Sequence, residues 1–229
     1  MDAHTRFDDL RRFDTPTICN ALEIVRGRRF AAGFTQQSLL ASCPALPPIV
    51  GYARTGRLRC SAPFDAAART QTLLGYYEYL AQGPRPVIAV IEDIDSRPGL
   101  GAFWGEVNTT VHWGLGCHGA VTNGSMRDLD TMCPQFQCLA ASVSPSHVSA
   151  QIVDFGTPVT VLGMAVSDGE IIHADRHGAV VFTSEEAEKL PAAVDLIIRR
   201  EKVILDAART PGFDAAAMRE AMAASERIT

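Results

Sequence analysis

A short segment in the middle of the chain, residues 105–128, combines residue types that bind and polarise a small organic acid. Gly105 and Glu106 are predicted to open a helix, and the exposed N–H groups of a helix start can receive a carboxylate. Arg127 offers a bidentate fork to a carboxylate, and the adjacent Asp128 is a hard oxygen ligand for a divalent ion. Glu106 would join them directly or through water. The segment therefore suits a keto acid chelated to Mg²⁺ or Mn²⁺. The alternative is a surface pair, which is the usual role of an Arg-Asp dipeptide.

Two other patterns are better explained as local structure. Residues 114–119 (GLGCHG) have the spacing of a dinucleotide-binding turn, but a predicted helix precedes these glycines and a strand follows, which reverses the required order. A glycine-rich helix end is therefore favoured. His173, Asp175 and His177 would share one face of a strand, as metal ligands need. The sequence of residues 176–178 also resembles a turn, in which Asp175 would bond turn amides, so metal binding there is the less favoured alternative.

Several reaction types lack the residues they require. No G-x-S-x-G motif surrounds Ser125, as a serine hydrolase of that type needs. The two lysines, Lys189 and Lys202, lie in a predicted polar helix, which disfavours a lysine-imine aldolase. The six cysteines form no C-x-x-C pair, and Cys133 and Cys138 are too isolated for a zinc site. We therefore expect reduced, mostly buried thiols.

Composition limits the remaining classes of protein. The chain has 229 residues, is 47% hydrophobic, and carries 21 basic against 26 acidic side chains, a net charge of −5. This content supports an ordinary buried core, whereas the acidic balance argues against sequence-independent nucleic-acid binding. No run of about 20 apolar residues indicates a membrane span. Because the charged N-terminal residues 1–13 differ from a signal peptide, we expect a cytoplasmic protein.

The elements that must position the segment alternate between helix and strand, which predicts an α/β fold. Predicted helices cover 1–26 (with Thr15-Pro16 as a capped start), 65–80, 104–115, a long stretch from the Ser184 cap to about 208, and a shorter one after Pro211. Predicted strands cover 50–60, 86–91, 119–122, 136–143, 151–162, 170–174 and 178–183, with a loop over 36–48. Asn123-Gly124 is predicted to turn, and Ser125 to cap a short helix that presents Arg127 and Asp128.

The order and spacing of these residues resemble a known family. Glu106, twenty intervening residues, then Arg127-Asp128 resemble the acidic-x20-Arg-Asp signature of the regulator of ribonuclease activity A (RraA-like) family. Its catalytic branch comprises divalent-metal 4-hydroxy-4-methyl-2-oxoglutarate and 4-carboxy-4-hydroxy-2-oxoadipate aldolases. Residues 15–22 (TPTICNAL), 51–55 (GYART) and 168–181 are similar to flanking parts of the family. The resemblance covers roughly residues 15–183.

The resemblance implies an α/β/β sandwich similar to the swivelling phosphohistidine domain. It implies one domain over residues 1–229, with a core at about 15–183 and a C-terminal helical arm at about 184–229. Members of the family assemble as trimers or hexamers, with active sites at subunit interfaces, so we expect a homo-oligomer whose neighbouring subunit supplies an acidic residue.

The resemblance also assigns roles to individual residues. Arg127 would bind the substrate carboxylate or keto oxygen, Asp128 would ligate the metal, and Glu106 would orient a water on it. Asn123 stands where an aspartate is common, and His112 and His118 have no counterpart. The backbone amides that hold the pyruvyl part would come from four consecutive residues, Gly105, Glu106, Val107 and Asn108.

The expected activity is metal-dependent cleavage of a 2-keto acid through a pyruvate enolate, either by aldol cleavage or by decarboxylation of oxaloacetate. Arg127 would stabilise the negative charge of the enolate. Two alternatives stay open. One is an enzyme of the same fold, such as a hydratase or another decarboxylase, that acts on a different keto or hydroxy acid. The other is a non-catalytic regulator that binds a ribonuclease, as the founding branch of the family does.

Overall fold

A computed structural model describes residues 3–63 and 65–229, with side chains from residue 7 onward. Residues 1 and 2 of the predicted N-terminal helix lie outside the described residues. In chain order the elements are α1 (Ala3–Leu10), α2 (Thr15–Arg26), β1 (Leu40–Ala41), β2 (Ile49–Arg59), α3 (Ala66–Leu80), β3 (Val87–Asp93), β4 (Ala102–Trp104), α4 (Glu106–Gly114), β5 (Cys117–Met126), β6 (Gln137–Val143), β7 (Gln151–Phe155), β8 (Val159–Val161), β9 (Met164–Val166), β10 (Ile171–Asp175), β11 (Gly178–Phe182), α5 (Ser184–Ala208) and α6 (Ala215–Glu226).

A curled mixed sheet organises these elements in the order β1-β6-β5-β3-β2-β10-β11, with β4 added to β5 and β7 added to β2. The neighbours among β2, β3, β5, β6 and β4 run parallel, whereas β1, β7, β10 and β11 pair antiparallel with their neighbours. The carboxyl ends of the parallel strands therefore meet at one edge of the sheet. In sheets of this kind ligands bind outside that edge.

The two faces of the sheet carry different layers, and the central strand β3 is buried between them. On one face, Ala89 and Ile91 pack with Tyr76 and Leu80 of α3. On the other face, the alternate residues of β3 pack against the β8–β9 hairpin. The helices α1, α2 and α5 cover the β10–β11 end. Helices, main sheet and hairpin together form the layered α/β arrangement that the resemblance predicts.

Most predicted elements are confirmed within a few residues, and several need correction. The N-terminal helix is interrupted after Leu10, because Asp14 caps a second helix by accepting a hydrogen bond from the Thr17 N–H at 2.9 Å. The predicted strand over 151–162 is two strands separated by Gly156, which has a φ of 76°, and β9 was missed. The long C-terminal helix is capped by Thr183 rather than Ser184. Among the described residues, no helix is both long and apolar enough to cross a bilayer.

The glycines of residues 114–119 follow α4 and precede β5. Gly116 has a φ of 78°, a conformation in which a Cβ would clash. The interpretation as a helix end is confirmed.

The His173–His177 segment is also structural. The Asp175 carboxylate accepts hydrogen bonds from the Thr15 N–H at 2.9 Å and from the His177 N–H at 2.8 Å. The His173 ring lies between the Thr15 hydroxyl at 3.0 Å and the Leu10 carbonyl at 3.3 Å. Since these groups join β10 to the start of α2, the preference for a turn over a metal site is supported.

The burial of His173 predicts how the free energy of unfolding depends on pH. Burial lowers the pKa of His173, like that of the buried His112, to about 4. Between that value and the pKa of the unfolded chain, about 6.5, the unfolded state binds more protons, so the free energy of unfolding rises with pH. Each histidine contributes a slope of up to about 1.4 kcal/mol per pH unit in this window. His173→Gln should reduce the slope measured by urea unfolding by that amount.

The matched control is His147→Gln, because His147 is an exposed histidine. Its unfolding free energy should keep the wild-type slope from pH 4.5 to 6.5. An unchanged slope in His173→Gln would contradict the burial argument.

Candidate functional site

The predicted site residues come together because two short strand ends lie side by side. Trp104 ends β4 and is paired with Met126, which ends the parallel strand β5. The N–H of Arg127 donates to the Trp104 carbonyl at 2.9 Å. The residues that follow the two strands therefore leave the same edge of the sheet as neighbours, although twenty residues lie between Glu106 and Arg127 in the sequence.

The Asp128 carboxylate contacts the start of α4. Its Oδ2 accepts a hydrogen bond from the Glu106 N–H at 3.2 Å and lies 3.6 Å from Nε of Arg127. The first N–H groups of a helix lack partners within the helix and carry a partial positive charge. The Arg127 and Asp128 side chains are 34% and 33% exposed, and Glu106 is exposed. The Arg127 guanidinium, the Asp128 carboxylate and the helix start therefore lie together at the surface, and the exposed Glu106 side chain belongs to the same helix start.

Gly105 makes this approach possible. Its φ of −162° is ordinary extended backbone, so its requirement is for space rather than for conformation. A Cβ at this position would lie 2.5 Å from Oδ2 of Asp128 and 3.2 Å from Cγ of Arg127. Only glycine lets the carboxylate reach the first amides of α4 without displacement.

The predicted short helix after Ser125 is wrong. Ser125 is a buried residue inside β5, paired with Ser142 of β6 and Ala102 of β4. Asn123 and Gly124 also belong to the strand, at a shift in its register. Strand partners on both sides extend β5 through the residues that local pattern assigned to a turn.

Asp128 starts a tight turn instead of a helix. Its φ of 56° is in the left-handed region, which aspartate tolerates better than most residues do. The Asp128 carbonyl accepts hydrogen bonds from the N–H groups of Thr131 and Met132, both at 3.0 Å. This turn directs the Asp128 side chain back toward α4.

Asn123 has a structural role that its position in the signature did not reveal. Its side-chain oxygen accepts from the Asp93 N–H at 2.7 Å, and its Nδ2 donates to the Asp93 carbonyl at 2.9 Å. Both bonds join the irregular part of β5 to the end of β3. An aspartate at this position would lose the donor.

Val107 and Asn108, the other two residues whose backbone amides are predicted to bind the substrate, have side chains that point in different directions. Val107 is 72% exposed. The Asn108 amide instead points inward, where its Nδ2 donates to the Phe103 carbonyl at 2.6 Å and its Oδ1 accepts from the Tyr77 hydroxyl at 2.9 Å. Asn108 therefore anchors α4 to α3, and any direct contribution to a ligand comes from its backbone.

The two unassigned histidines lie away from the candidate site. His112 is fully buried, donates from Nδ1 to the Asn108 carbonyl at 2.6 Å and accepts from the Tyr76 hydroxyl at 3.1 Å. Burial lowers its pKa to about 4, so it supports α4 as a neutral ring. His118 packs on Trp113, with ring centroids 5.1 Å apart, near the opposite end of β5.

One group of potential metal ligands was missed by sequence reasoning. Cys60, Asp93 and Asp95 follow or end the neighbouring strands β2 and β3, and one donor atom from each lies within 4.8 Å of the others. The sequence feature that could have revealed this group is the Asp-x-Asp pair at the end of the buried strand β3. The group is compatible with a metal ion.

The same three residues also make bonds that stabilise the fold without an ion. Asp93 accepts from the Gly99 N–H at 2.7 Å, and Asp95 accepts from the Cys60 N–H at 2.7 Å. Burial raises the pKa of the Cys60 thiol to about 12, whereas a thiol binds metals as the thiolate. Asp128 and Glu106 are exposed residues with carboxylate oxygens.

The comparisons with known proteins agree with this architecture. A protein of Pseudomonas syringae pv. tomato, described as uncharacterized, has a TM-score of 0.73 at 20% identity, covering 97% of this chain and 95% of that one. Streptomyces coelicolor RraAS2, described as an unusual member of the RNase ES inhibitor RraA protein family, has a TM-score of 0.64 at 20% identity, covering 92% and 98%. These similarities show the fold. No curated protein sequence matches the chain.

The family model described as RraA-like, Aldolase/RraA, matches residues 15–181. The matched range includes the strand ends, the start of α4 and the Arg127-Asp128 pair. The chain belongs to the RraA-like family.

Proposed function

We propose that the chain is a divalent-metal-dependent lyase that cleaves a 2-keto acid through a pyruvate enolate. It would act as a 4-hydroxy-4-methyl-2-oxoglutarate aldolase, an oxaloacetate decarboxylase, or both. The observation that carries this proposal is the approach of the Asp128 carboxylate to the Glu106 N–H, with the Arg127 guanidinium beside it. Family membership alone leaves both enzymes and ribonuclease regulators open.

The residues of the site fit a hard divalent cation. Asp128 is a partly exposed carboxylate, Glu106 is exposed beside it, and the missing Cβ of Gly105 leaves the carboxylate room. Mg²⁺ and Mn²⁺ prefer such oxygen donors. In this proposal Asp128 would hold the ion and Glu106 would contact it through water. The bound ion would supply Lewis-acid polarisation of the 2-keto group.

The remaining chemistry belongs to the side chains and amides of the site. The first-turn amides of α4, over residues 105–108, bind the pyruvyl carboxylate. Arg127 binds the carboxylate or the keto oxygen and stabilises the charge that develops there. The water oriented by Glu106 acts as the base that takes the 4-hydroxyl proton. The C3–C4 bond then breaks, C4 leaves as the carbonyl of the second product, and the electron pair of the broken bond forms the enolate. The same water returns the proton to C3.

Decarboxylation of oxaloacetate uses the same groups. The C3–C4 bond breaks, the C4 carboxylate leaves as CO₂, and the electron pair again forms the pyruvate enolate. Arg127 stabilises the same oxygen in both reactions. A homotrimer or homohexamer would close the open side of the site, where Arg127 and Asp128 are each about one third exposed.

The first test is pyruvate release from each substrate with Mg²⁺, with Mn²⁺ and with EDTA. Pyruvate release should require the divalent ion and should stop in EDTA. Asp128→Asn keeps a residue that tolerates positive φ but removes the charge, and Arg127→Gln removes the guanidinium. Each should reduce kcat/KM at least about 100-fold, the scale of losing one group that stabilises transition-state charge, while urea unfolding stays cooperative.

Asp130→Asn is the matched control, because Asp130 is an exposed aspartate in the same turn. It should keep wild-type kcat/KM. Wild-type activity in Asp128→Asn or Arg127→Gln would refute the assigned roles. If wild-type protein releases pyruvate from neither substrate, the lyase proposal is wrong, and metal-independent capture of a purified RNase E-type endonuclease would favour the regulator.

A second test uses the space at Gly105. Gly105→Ala places a methyl group 2.5 Å from Oδ2 of Asp128, so the carboxylate must move away from α4. Because a displacement of about 1 Å can reduce turnover by about 10²-fold, kcat/KM should fall by that order. The apparent affinity for Mn²⁺, measured by isothermal titration calorimetry, should also fall.

Gly114→Ala provides the control within the same helix. A Cβ at Gly114 would meet no atom within 4 Å, and alanine is favoured over glycine in helices by about 1 kcal/mol. This variant should retain activity and Mn²⁺ affinity with equal or higher thermal stability. Equal activity in Gly105→Ala would show that the close approach of Asp128 to α4 is not needed.

A further inference from the structure

The hydroxyl of Thr109 joins the two chain segments of the candidate site. Thr109 lies in the first turn of α4 and is fully buried. Its Oγ1 lies 2.8 Å from the Gly105 carbonyl oxygen, to which it donates, and accepts a hydrogen bond from the Cys133 N–H at 3.0 Å. One hydroxyl therefore bonds both the glycine that precedes α4 and the segment that follows Asp128.

The segment from Asp128 to Cys133 is held at both of its ends. At the first end, the Asp128 carbonyl accepts from the N–H groups of Thr131 and Met132. At the other end, the N–H of the largely buried Cys133 donates a hydrogen bond to the Thr109 hydroxyl. A buried N–H that loses its acceptor is costly. Removing the hydroxyl should therefore release this segment from α4 rather than leave it in place.

The Asp128 carboxylate depends on this connection for its position. The strand pairing fixes Arg127 on one side, through its bond to the Trp104 carbonyl. The Thr109–Cys133 bond fixes the far side of the turn. The 3.2 Å bond between the Asp128 carboxylate and the Glu106 N–H lies between these two attachments.

We propose that Thr109 is a positioning residue that holds the Asp128 carboxylate against the start of α4. Its effect on turnover rests on the proposed lyase function, whereas its effect on the Asp128–Cys133 segment does not. The hydroxyl contacts neither metal nor substrate in this proposal. It acts by fixing the distance between the group that would bind the ion and the amides that would bind the keto acid.

The adjacent Thr110 provides a matched control. Its Oγ1 donates to the Glu106 carbonyl at 2.7 Å, as an exposed bond within the helix. Thr109 makes an equivalent bond to the carbonyl four residues earlier but also accepts from Cys133. Replacing each threonine with valine keeps its shape and removes its hydroxyl. The pair of variants separates the loss of a helix bond from the loss of the connection.

The first readout is amide hydrogen exchange of wild type, Thr109→Val, Thr109→Ser and Thr110→Val without metal or substrate. In Thr109→Val, a peptide covering residues 128–133 should exchange at least about tenfold faster, because a buried amide loses its bond. A peptide from β3 should exchange as in wild type. Thr109→Ser restores the hydroxyl and should restore slow exchange, and Thr110→Val should leave it unchanged.

The second readout is pyruvate release by the same four proteins at saturating Mg²⁺. Thr109→Val should lower kcat at least about tenfold, as expected when a catalytic group is displaced. Thr109→Ser should recover most of the activity, and Thr110→Val should match wild type. Recovery by serine distinguishes positioning through the hydroxyl from a general loss of packing.

The outcomes separate this inference from the proposed function. Unchanged exchange of residues 128–133 in Thr109→Val overturns the connection, whatever the activity. Faster exchange with wild-type kcat overturns its role in positioning. A third outcome is faster exchange of residues 128–133 in Thr109→Val and slow exchange in Thr109→Ser, while the wild-type protein releases no pyruvate. This outcome supports the hydrogen-bonded connection through Thr109 and overturns the lyase proposal.

Discussion

The pairing of β4 with β5 is the constraint on which the candidate site depends. Two parallel strands that end at the same level deliver their next residues to one edge of the sheet. Here that edge receives Gly105-Glu106 from one strand and Arg127-Asp128 from the other. The bond from the Arg127 N–H to the Trp104 carbonyl continues the pairing one step beyond the strands. Residues of the signature that lie more than twenty positions apart in the sequence are thereby brought together on one small surface.

Electrostatics and space explain the composition of that surface. The first amides of α4 lack partners within the helix and carry a partial positive charge, and the Asp128 carboxylate accepts a hydrogen bond from that of Glu106. The absence of a side chain at Gly105 permits this contact. The arrangement places positively charged groups and carboxylate oxygens side by side, as the binding of an anionic ligand together with a cation would require. A keto acid with a divalent ion would satisfy both requirements, and this is the basis of the proposed enolate chemistry.

The interior beneath α4 makes the surface rigid. The His112 ring is a neutral, fully buried group between the Tyr76 hydroxyl and the Asn108 carbonyl, and it packs edge-on against Trp104 with ring centroids 4.7 Å apart. Asn108 adds bonds to Tyr77 and Phe103. These contacts fix the helix, whereas Asp128 lies in a turn that depends on few attachments. Preorganised groups contribute most to catalysis when they need not move during the reaction.

The sequence by itself determined the features that depend on neighbours along the chain. The α/β class, the buried strand β3, the helix start at Glu106 and the glycine-rich end of α4 follow from periodicity, capping and the conformational freedom of glycine. The resemblance of the Glu106, Arg127 and Asp128 spacing to the family signature predicted that these residues share one site. Only the tertiary structure decided how far β5 extends, because its partners on both sides override the turn preference of Asn123 and Gly124. It also decided that Asn108 turns inward and that Thr109 bonds Cys133, since hydrogen bonds between distant segments leave no periodic pattern in the sequence.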